Sequence, residues 1–271
     1  MVLKNAVCMW LVCMVVEGSE KRGVALTRTT FLCDDFKHLN VSWWYDWQMD
    51  LSYFHEHTSC TDVQIMADKF VPMVWGGHRH INLTSTAPAV LGFNEPNFHS
   101  QANLTPAEAV AEWAKLESRS HGRPLVSPAA SSCHTTSKCY GDTTEWFDEF
   151  FRLCKDCRVD YIATHAYHCH GATTMAYLER LWQRYHRKIW LTEFSCPGTD
   201  DHNKQLQYMQ ELLPLLEAAD YVYRYAWYKG RKLDAGHVHQ STSLLHSHTS
   251  GLTSLGQYYV NFELHGAPIV G

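Results

Sequence analysis

Short apolar runs alternate with amphipathic stretches along this chain, and the alternation predicts strands and helices in turn. The clearest helix begins with Thr105-Pro106-Ala107-Glu108, a capping box with proline at the first helical position. Apolar residues at helical spacing predict further helices at residues 145–153, 174–185, 204–218 and 252–262. Apolar, β-prone runs predict strands at residues 23–26, 41–47, 70–75, 89–93, 125–129, 161–165, 189–193 and 221–227.

This order of elements predicts one domain with an α/β fold. From the fourth predicted strand onward a helix follows each strand, which implies parallel strands joined by right-handed crossovers. Eight such units in about 250 residues are typical of a single (β/α)8 TIM barrel, which we predict for residues 19–271. Pro72 lies inside the third predicted strand and argues against a regular central strand there.

Two of the predicted strands deliver a glutamate at their ends. The stretch V-L-G-F-N-E-P changes from apolar to polar at Asn94 and Glu95, and I-W-L-T-E-F places Glu193 at the end of the seventh strand. Each glutamate alone could be a solvated loop acid. Barrel enzymes keep their chemistry at the carboxyl ends of the strands, and two carboxylates are the minimum equipment for glycoside hydrolysis. The repeated design therefore favours a catalytic pair.

Composition and motifs argue against several other classes of protein. The net charge of −5 argues against a nucleic-acid-binding protein, and no G-x-G-x-x-G follows a strand. The motif His165-x-x-His168-x-His170 and several histidine pairs could ligate zinc, but no H-E-x-x-H occurs and no carboxylate has ligand spacing. No G-x-S-x-G elbow indicates a serine hydrolase. We therefore predict no metal and no cofactor.

The first 18 residues have the pattern of a secretory signal peptide. Lys4 precedes an apolar run from Ala6 to Val16, which is too short to span a bilayer comfortably, although an uncleaved anchor is the alternative. No later segment is apolar enough to cross a membrane. We predict a secreted, soluble protein that is free of the membrane after cleavage, and we expect a monomer.

Cysteine usage agrees with export, because eight cysteines remain after the signal peptide. Eight cysteines allow 105 pairings. Position along the chain favours Cys133 with Cys139, and Cys169 with Cys196 beyond neighbouring strand ends. The motif Cys154-x-x-Cys157 indicates a short bridge or two bridges to other partners. N-glycosylation sequons occur at Asn40, Asn82 and Asn103.

Four stretches together resemble glycoside hydrolase family 128: L-G-F-N-E-P-N from Leu91, W-L-T-E-F from Trp190, V-S-W-W-Y from Val41 and V-P-M-V-W-G from Val71. The resemblance extends from about Gly23 to Phe262. It implies a (β/α)8 barrel and a retaining β-1,3-glucanase activity, with Glu95 as general acid/base and Glu193 as nucleophile. The histidine-rich stretch at residues 237–248 departs from the family pattern.

Other side chains near the strand ends are candidates for binding sugar. Asn94 is a candidate donor to the sugar 2-hydroxyl, or else a loop cap. His165 and Tyr167 could orient Glu193, or could be packing residues of the sixth strand. Trp227 is a candidate floor of the subsite beside the cleaved bond. The candidate stacking platforms are Trp43, Trp44 and Trp75, of which at least one belongs to the core because adjacent strand residues face opposite sides.

These observations leave three functions open. The leading prediction is an exported endo-β-1,3-glucanase that binds β-glucan chains. A β-1,4-glycanase with the same glutamate pair is the alternative among enzymes. A barrel that binds glucan without cleaving it is the alternative from another class, although such a protein would be expected to have lost one of the two carboxylates.

Overall fold

The computed structural model describes residues 19–57, 60, 63–77, 80–83, 86–133, 135, 137–234 and 236–263. The predicted signal peptide, residues 1–18, lies outside this described part. Among the described residues, every helix is too short or too polar to cross a membrane.

Parallel strands alternate with helices along the chain, which confirms the predicted α/β class. The strands are β1 (Arg22–Ala25), β2 (Trp43–Tyr45), β3 (Val90–Leu91), β4 (Leu125–Ser131), β5 (Tyr161–Ala166), β6 (Ile189–Phe194) and β7 (Val222–Tyr228). The helices are α1 (Asp35–His38), α2 (Ser52–His57), α3 (Val63–Lys69), α4 (Pro106–Arg119), α5 (Thr143–Leu153), α6 (Gly171–Tyr185), α7 (His202–Ala218) and α8 (Ser254–Asn261).

The sheet of the described chain has seven strands in the order β2-β1-β7-β6-β5-β4-β3. Every pair is parallel, so all carboxyl ends lie at the same edge of the sheet. Because β1 pairs with β7, the first and last strands of the chain are neighbours. This arrangement brings the ends of β3 and β6, which precede Glu95 and contain Glu193, to one face of the domain.

The predicted third strand is not a regular strand. Its residues form only isolated bridges, Phe70 to Trp44 of β2 and Met73 to Leu91 of β3. Pro72 supplies no N–H, and its carbonyl accepts a hydrogen bond from Leu91 at 2.9 Å. The segment nevertheless bonds both edges of the sheet, because Val71 donates to Trp44 at 2.9 Å. The sheet therefore curls until its two edge strands share one connecting segment.

Side chains from the two sides of the sheet pack into two apolar clusters. The larger lies between the sheet and the helices, and includes Trp113, Phe194 and Trp227. The smaller lies on the inner side of the curl, and includes Trp43 and Trp190. Gly23 has no side chain because a Cβ there would lie 2.3 Å from the ring of Trp43. The inner cluster thus fills the space beneath the strand ends.

Helix α4 has the predicted capping box. The Thr105 hydroxyl accepts from the Glu108 N–H, and the Glu108 carboxylate accepts from the Thr105 N–H at 2.9 Å. The short helices α1, α2 and α3 were not predicted. Helix α1 lies between β1 and β2, and α2 and α3 lie between β2 and the segment that begins at Phe70.

Four disulfides join the eight cysteines that follow the predicted signal peptide. They link Cys33 to Cys60, Cys133 to Cys139, Cys154 to Cys157, and Cys169 to Cys196. The two pairings favoured by position are confirmed, and the C-x-x-C motif forms the short bridge. Cys169–Cys196 ties the segment after β5 to the segment after β6, beside the strand end that carries Glu193.

Candidate active site

A cleft of about 890 Å³ opens at the carboxyl edge of the sheet. Both predicted catalytic glutamates line it, and so do four of the predicted sugar-binding residues. The lining residues that concern the chemistry are Trp47, Trp75, Asn94, Glu95, His165, Tyr167, Glu193, Tyr228, Lys229 and Lys232.

Glu95 enters the cleft from a strained turn after β3. Its backbone N–H donates to the carbonyl of Ala129 at 3.1 Å, which fixes the turn against β4. Its φ of 40° lies in the left-handed region, which side chains other than glycine rarely adopt. Strain of this kind persists where surrounding structure imposes it, and it clusters at functional sites. The strain turns the Glu95 side chain toward β5.

Glu193 is held by hydrogen-bond donors from two neighbouring segments. Trp47 Nε1 donates to Oε1 at 2.9 Å, and the Tyr45 hydroxyl donates to the same oxygen at 3.2 Å. The Tyr167 hydroxyl donates to Oε2. An indole N–H can only donate, so Glu193 Oε1 must act as an acceptor. These donors favour the ionised form of the carboxyl.

A single buried imidazole contacts both glutamates. His165 Nδ1 lies 2.8 Å from Glu95 Oε1, and its Nε2 lies 3.4 Å from Glu193 Oε1 without forming a well-aligned hydrogen bond. His165 follows the bulge of β5 against β6, and its register partner is Glu193 itself. The ring therefore links the two carboxyls through one rigid side chain.

Charge and burial shift the pKa values of this cluster. Burial lowers the pKa of His165, but the negative charges of Glu193 and Glu95 outweigh burial and leave that pKa raised. Burial raises the pKa of Glu193, while His165, Tyr167 and Trp47 oppose the rise. Burial and the glutamate charges raise the pKa values of Tyr45 and Tyr167, so both phenols remain donors.

Asn94 and Trp75 both line the cleft. Asn94 is buried, its Nδ2 donates to Gln101 Oε1 at 3.2 Å, and its Oδ1 lacks a partner within the described residues. Trp75 is partly exposed at the cleft, and its carbonyl accepts from the Asn94 N–H at 2.8 Å. An unpaired amide oxygen and an open ring are both available to a ligand.

The prediction that Trp43 and Trp44 form stacking platforms is wrong, because both side chains are fully buried. Trp43 lies at the start of β2, on the inner side of the sheet, and packs on Trp190 with ring centroids 4.9 Å apart. Trp44 faces the helices, and its Nε1 donates to the carbonyl of Met66 at 2.8 Å. The two rings face opposite sides, as strand alternation requires.

Trp227 is also misassigned. It is fully buried on the helix side of β7, where its Nε1 donates to the carbonyl of Thr242 at 2.7 Å. The next residue, Tyr228, faces the inner side and lines the cleft instead. Alternation along Y-V-Y-R-Y-A-W-Y would have assigned Tyr228 correctly if the register of the strand end had been known.

Sequence reasoning missed Tyr45 and Trp47, two residues whose side chains donate hydrogen bonds to Glu193. Tyr45 shares the inner side of β2 with Trp43, one pleat nearer the carboxyl edge. Trp47 follows β2 with a φ of 63°, a conformation that no sequence pattern indicates for tryptophan. Asp46 lies between them, and its Oδ2 accepts a hydrogen bond from Arg28 Nε at 3.0 Å. Burial raises the pKa of the Asp46 carboxyl to about 7.

The histidine motifs do not assemble into a metal centre within the described residues, where no three His, Cys, Asp or Glu side chains are grouped as ligands. His165 is committed to the two glutamates. His168 contacts Thr174 Oγ1 at 3.2 Å.

Comparison with known proteins decides the family. The family profile described as "Glycosyl hydrolase catalytic core" matches residues 23–259. An endo-β-1,3-glucanase of family GH128, subgroup II, from Sorangium cellulosum is 33% identical, with a TM-score of 0.78 over 91% of this chain and 100% of that chain. The chain belongs to glycoside hydrolase family 128.

Two other proteins are also similar to this family 128 glycoside hydrolase. The subgroup II endo-β-1,3-glucanase from Pseudomonas viridiflava is 33% identical, with a TM-score of 0.73 over 90% of this chain and 98% of that chain. "Alkali-sensitive linkage protein 1" of Schizosaccharomyces pombe (strain 972 / ATCC 24843) is 30% identical over 263 residues, 90% of this chain. The match covers 45% of that protein, so this chain spans less than half of its length.

Proposed function

We propose that this family 128 hydrolase cleaves β-1,3-glucan with retention of configuration, with Glu95 as general acid/base and Glu193 as nucleophile. The observation that carries the proposal is that both carboxyls line one cleft and contact the same imidazole, His165. A pair of carboxyls in one site is what glycoside hydrolysis requires, and in a retaining enzyme one is the acid/base and the other the nucleophile.

The surroundings of each glutamate support its role. Glu193 has 6% of its side chain exposed and accepts hydrogen bonds from Trp47 and Tyr167, so it is aimed and kept available as an anion. Glu95 has 15% of its side chain exposed and meets the open cleft, where a leaving oxygen and later a water must reach it. His165 couples the protonation of the two glutamates, because its ring contacts both carboxyls.

The reaction proceeds in two displacements. Glu95 gives its proton to the glycosidic oxygen while a Glu193 oxygen bonds the anomeric carbon, and the bond to the leaving sugar breaks. Glu95, now a carboxylate, then takes a proton from water, which attacks the same carbon and releases Glu193. Asn94 binds the 2-hydroxyl during both steps, and Trp75 stacks on a neighbouring sugar.

The substrate assignment rests on the relatives. The Sorangium and Pseudomonas enzymes, each 33% identical over about nine-tenths of this chain, are endo-β-1,3-glucanases. The cleft is large enough for several sugar rings, which favours attack within a chain over attack at its end.

We extend the proposal to the fold and the location of the protein. The segment from Phe70 to Val74 completes a closed eight-stranded ring, supported by its hydrogen bonds to Trp44 and Leu91 at the two sheet edges. Residues 1–18 direct the chain to the secretory route, supported by four disulfides. The secreted protein acts as a monomer on β-glucan, binding neither nucleic acid nor membrane.

Proton NMR of laminari-oligosaccharide cleavage tests the mechanism. We expect the β-anomer to appear first, followed by mutarotation. An initial α-anomer would refute double displacement.

A second comparison tests substrate and catalysis together. We expect release of reducing sugar from laminarin and little from cellulose or mannan. Glu193→Gln should bind laminarin with similar affinity but not cleave it. If wild type and Glu193→Gln both bound laminarin and neither cleaved it, the protein would be a glucan-binding barrel rather than an enzyme.

A further inference from the structure

The segment after β7 places two buried lysines in the wall of the cleft. Lys229 and Lys232 are 5% and 3% exposed, and both line the cleft. Lysines are seldom buried to this degree unless their charge is compensated. The mechanism proposed above uses neither.

The carboxylate of Asp234 is shared by the two lysines. Lys229 Nζ lies 3.5 Å from Asp234 Oδ1, and Lys232 Nζ lies 2.9 Å from Oδ2. Two ammonium groups face one carboxylate, so this wall keeps a positive charge. The Asp234 side chain is 65% exposed, which places the compensating charge at the solvent side of the two buried cations.

Each ammonium also has hydrogen-bonding capacity to spare. Lys229 donates to Thr27 Oγ1 at 2.9 Å besides contacting Asp234, and Lys232 donates to the Asp234 carbonyl at 2.6 Å. An ammonium has three donors, and each lysine contacts two oxygen atoms within the described part of the chain. One donor on each ammonium therefore has no protein acceptor among the described residues.

The lysines lie on the nucleophile's side of the cleft. Lys229 directly follows Tyr228, whose ring packs against Trp47 and Tyr167 with centroids 6.0 and 5.7 Å apart, and both of those residues donate hydrogen bonds to Glu193. Lys229 Nζ also lies 5.6 Å from the ring of Tyr228.

We propose that Lys229 and Lys232 form a subsite for an anionic group, a carboxylate or a sulfate or phosphate ester, carried by the glucan chain bound in the cleft. This inference rests on the proposed function. Asp234 occupies the pair in the absence of such a group and yields to it on binding. The preferred substrate is then an acidic or acid-substituted β-1,3-glucan rather than a neutral one.

The test compares kcat/KM for neutral, carboxymethylated and sulfated laminarin in wild type and in Lys232→Gln, Asp234→Asn and Lys138→Gln. We expect Lys232→Gln to lower the preference for the anionic substrates by at least about tenfold, the size of one lost charge-assisted hydrogen bond. Asp234→Asn removes the competing carboxylate and should raise the preference by up to about fivefold. The carboxymethyl and sulfate arms identify which anion fits.

Lys138→Gln is the matched control, because Lys138 also lines the cleft but does not contact Asp234. Equal losses of the preference for anionic laminarin in the Lys138 and Lys232 variants would overturn the subsite. They would show that the overall electrostatic potential of the cleft attracts the anion. An unchanged preference in Lys232→Gln would also overturn it. If Lys232→Gln did not fold, a preference unaffected by Asp234→Asn would count against the subsite.

Failure of the proposed function is distinguishable, because wild type would then cleave no form of laminarin. In that case calorimetric binding of carboxymethylated and neutral laminari-oligosaccharides to the same variants still decides the inference. Tighter binding of the anionic oligosaccharide that is lost in Lys232→Gln supports the subsite, and equal affinities refute it.

Discussion

At the scale of single residues, burial and hydrogen-bond donors have opposite effects on the pKa of Glu193. Burial raises the pKa of Glu193, and the hydrogen bonds from Tyr167 and Trp47 lower it. Because the proposed nucleophile must be ionised to attack, activity should fall as pH drops through this raised pKa. The acid limb of kcat/KM against pH should therefore lie above 4.5, the ordinary value for glutamate.

Removing one donor should move that limb further. We expect Trp47→Phe and Tyr167→Phe each to raise the pKa of Glu193 and shift the acid limb upward by about one pH unit, the equivalent of one hydrogen bond to a charged group. Tyr221→Phe, at the opposite end of the sheet, is the control and should leave the limb in place. A pH–rate profile that neither donor variant moves would show that Glu193 is not the titrating base.

The strained backbone at Glu95 gives a prediction about stability. At a φ of 40° an alanine is disfavoured relative to glycine by about 1–2 kcal/mol. Glu95→Gly should therefore unfold at higher denaturant than Glu95→Ala, although both lose the contact to His165 and both should be inactive. The same pair of substitutions at exposed Lys115 in α4 should give the opposite order, since glycine destabilises a helix. A Glu95→Gly protein less stable than Glu95→Ala would mean that the turn is not strained.

Sequence predicted the positions of the two carboxyls in the candidate site better than the residues that form its walls. Glu95 and Glu193 were placed by an abrupt change from apolar to polar residues at a strand end, which is a local signal. The misassignment of Trp227 and the omission of Tyr228 share one cause. Side-chain direction depends on the register of β7, and β6 and β7 pair with register shifts that composition does not reveal.

At the scale of elements, the local patterns predicted helices well and the first third of the chain poorly. Helix α4 is predictable from the capping box at Thr105. The segment from Phe70 to Val74 has a strand-like composition but cannot complete a ladder through Pro72. Its place between β2 and β3 depends on hydrogen bonds to Trp44 of β2 and to Leu91 of β3. Neither partner is close to the segment in sequence.

The contribution of each disulfide to the free energy of unfolding depends on the length of the loop that it closes. Cys169–Cys196 has a sequence separation of 27, and Cys154–Cys157 a separation of 3. From chain entropy we expect the paired Cys→Ser substitutions to lower the free energy of unfolding by about 3.5 kcal/mol for the first and about 1.6 kcal/mol for the second. Denaturant unfolding of the two double variants measures both values. Equal losses would show that local packing, rather than loop closure, sets these contributions.

At the scale of the whole molecule, the parallel alternation of strands and helices was predictable because each crossover is local in sequence. The seam between β1 and β7 was not, because it joins the two ends of the chain. The seam is stabilised by groups that no local pattern pairs. The Tyr259 hydroxyl of α8 donates to the Gly23 carbonyl at 2.6 Å, and Lys21 Nζ donates to the carbonyl of Glu217 at the end of α7, at 2.8 Å.

One such pair, in the segments that follow β7 and β1, is Arg231 with Asp35, 196 residues apart and 1% and 0% exposed. The guanidinium donates to both carboxylate oxygens, at 2.8 and 2.7 Å, and also to the His246 and Thr249 carbonyls. Removing one partner leaves the other charge buried and unpaired. We therefore expect Arg231→Met alone to lower the free energy of unfolding by about 3–5 kcal/mol.

Replacing both partners should recover much of that loss, because an apolar pair of similar volume leaves no buried charge. We expect Arg231→Met with Asp35→Leu to be more stable than Arg231→Met alone, and a double-mutant cycle from denaturant unfolding measures the coupling. The exposed pair Arg152 with Glu149 is the matched control and should show far weaker coupling. If the two cycles gave equal coupling, burial would not be what makes the seam pair important, and the ends of the chain would be held mainly by the backbone pairing of β1 with β7.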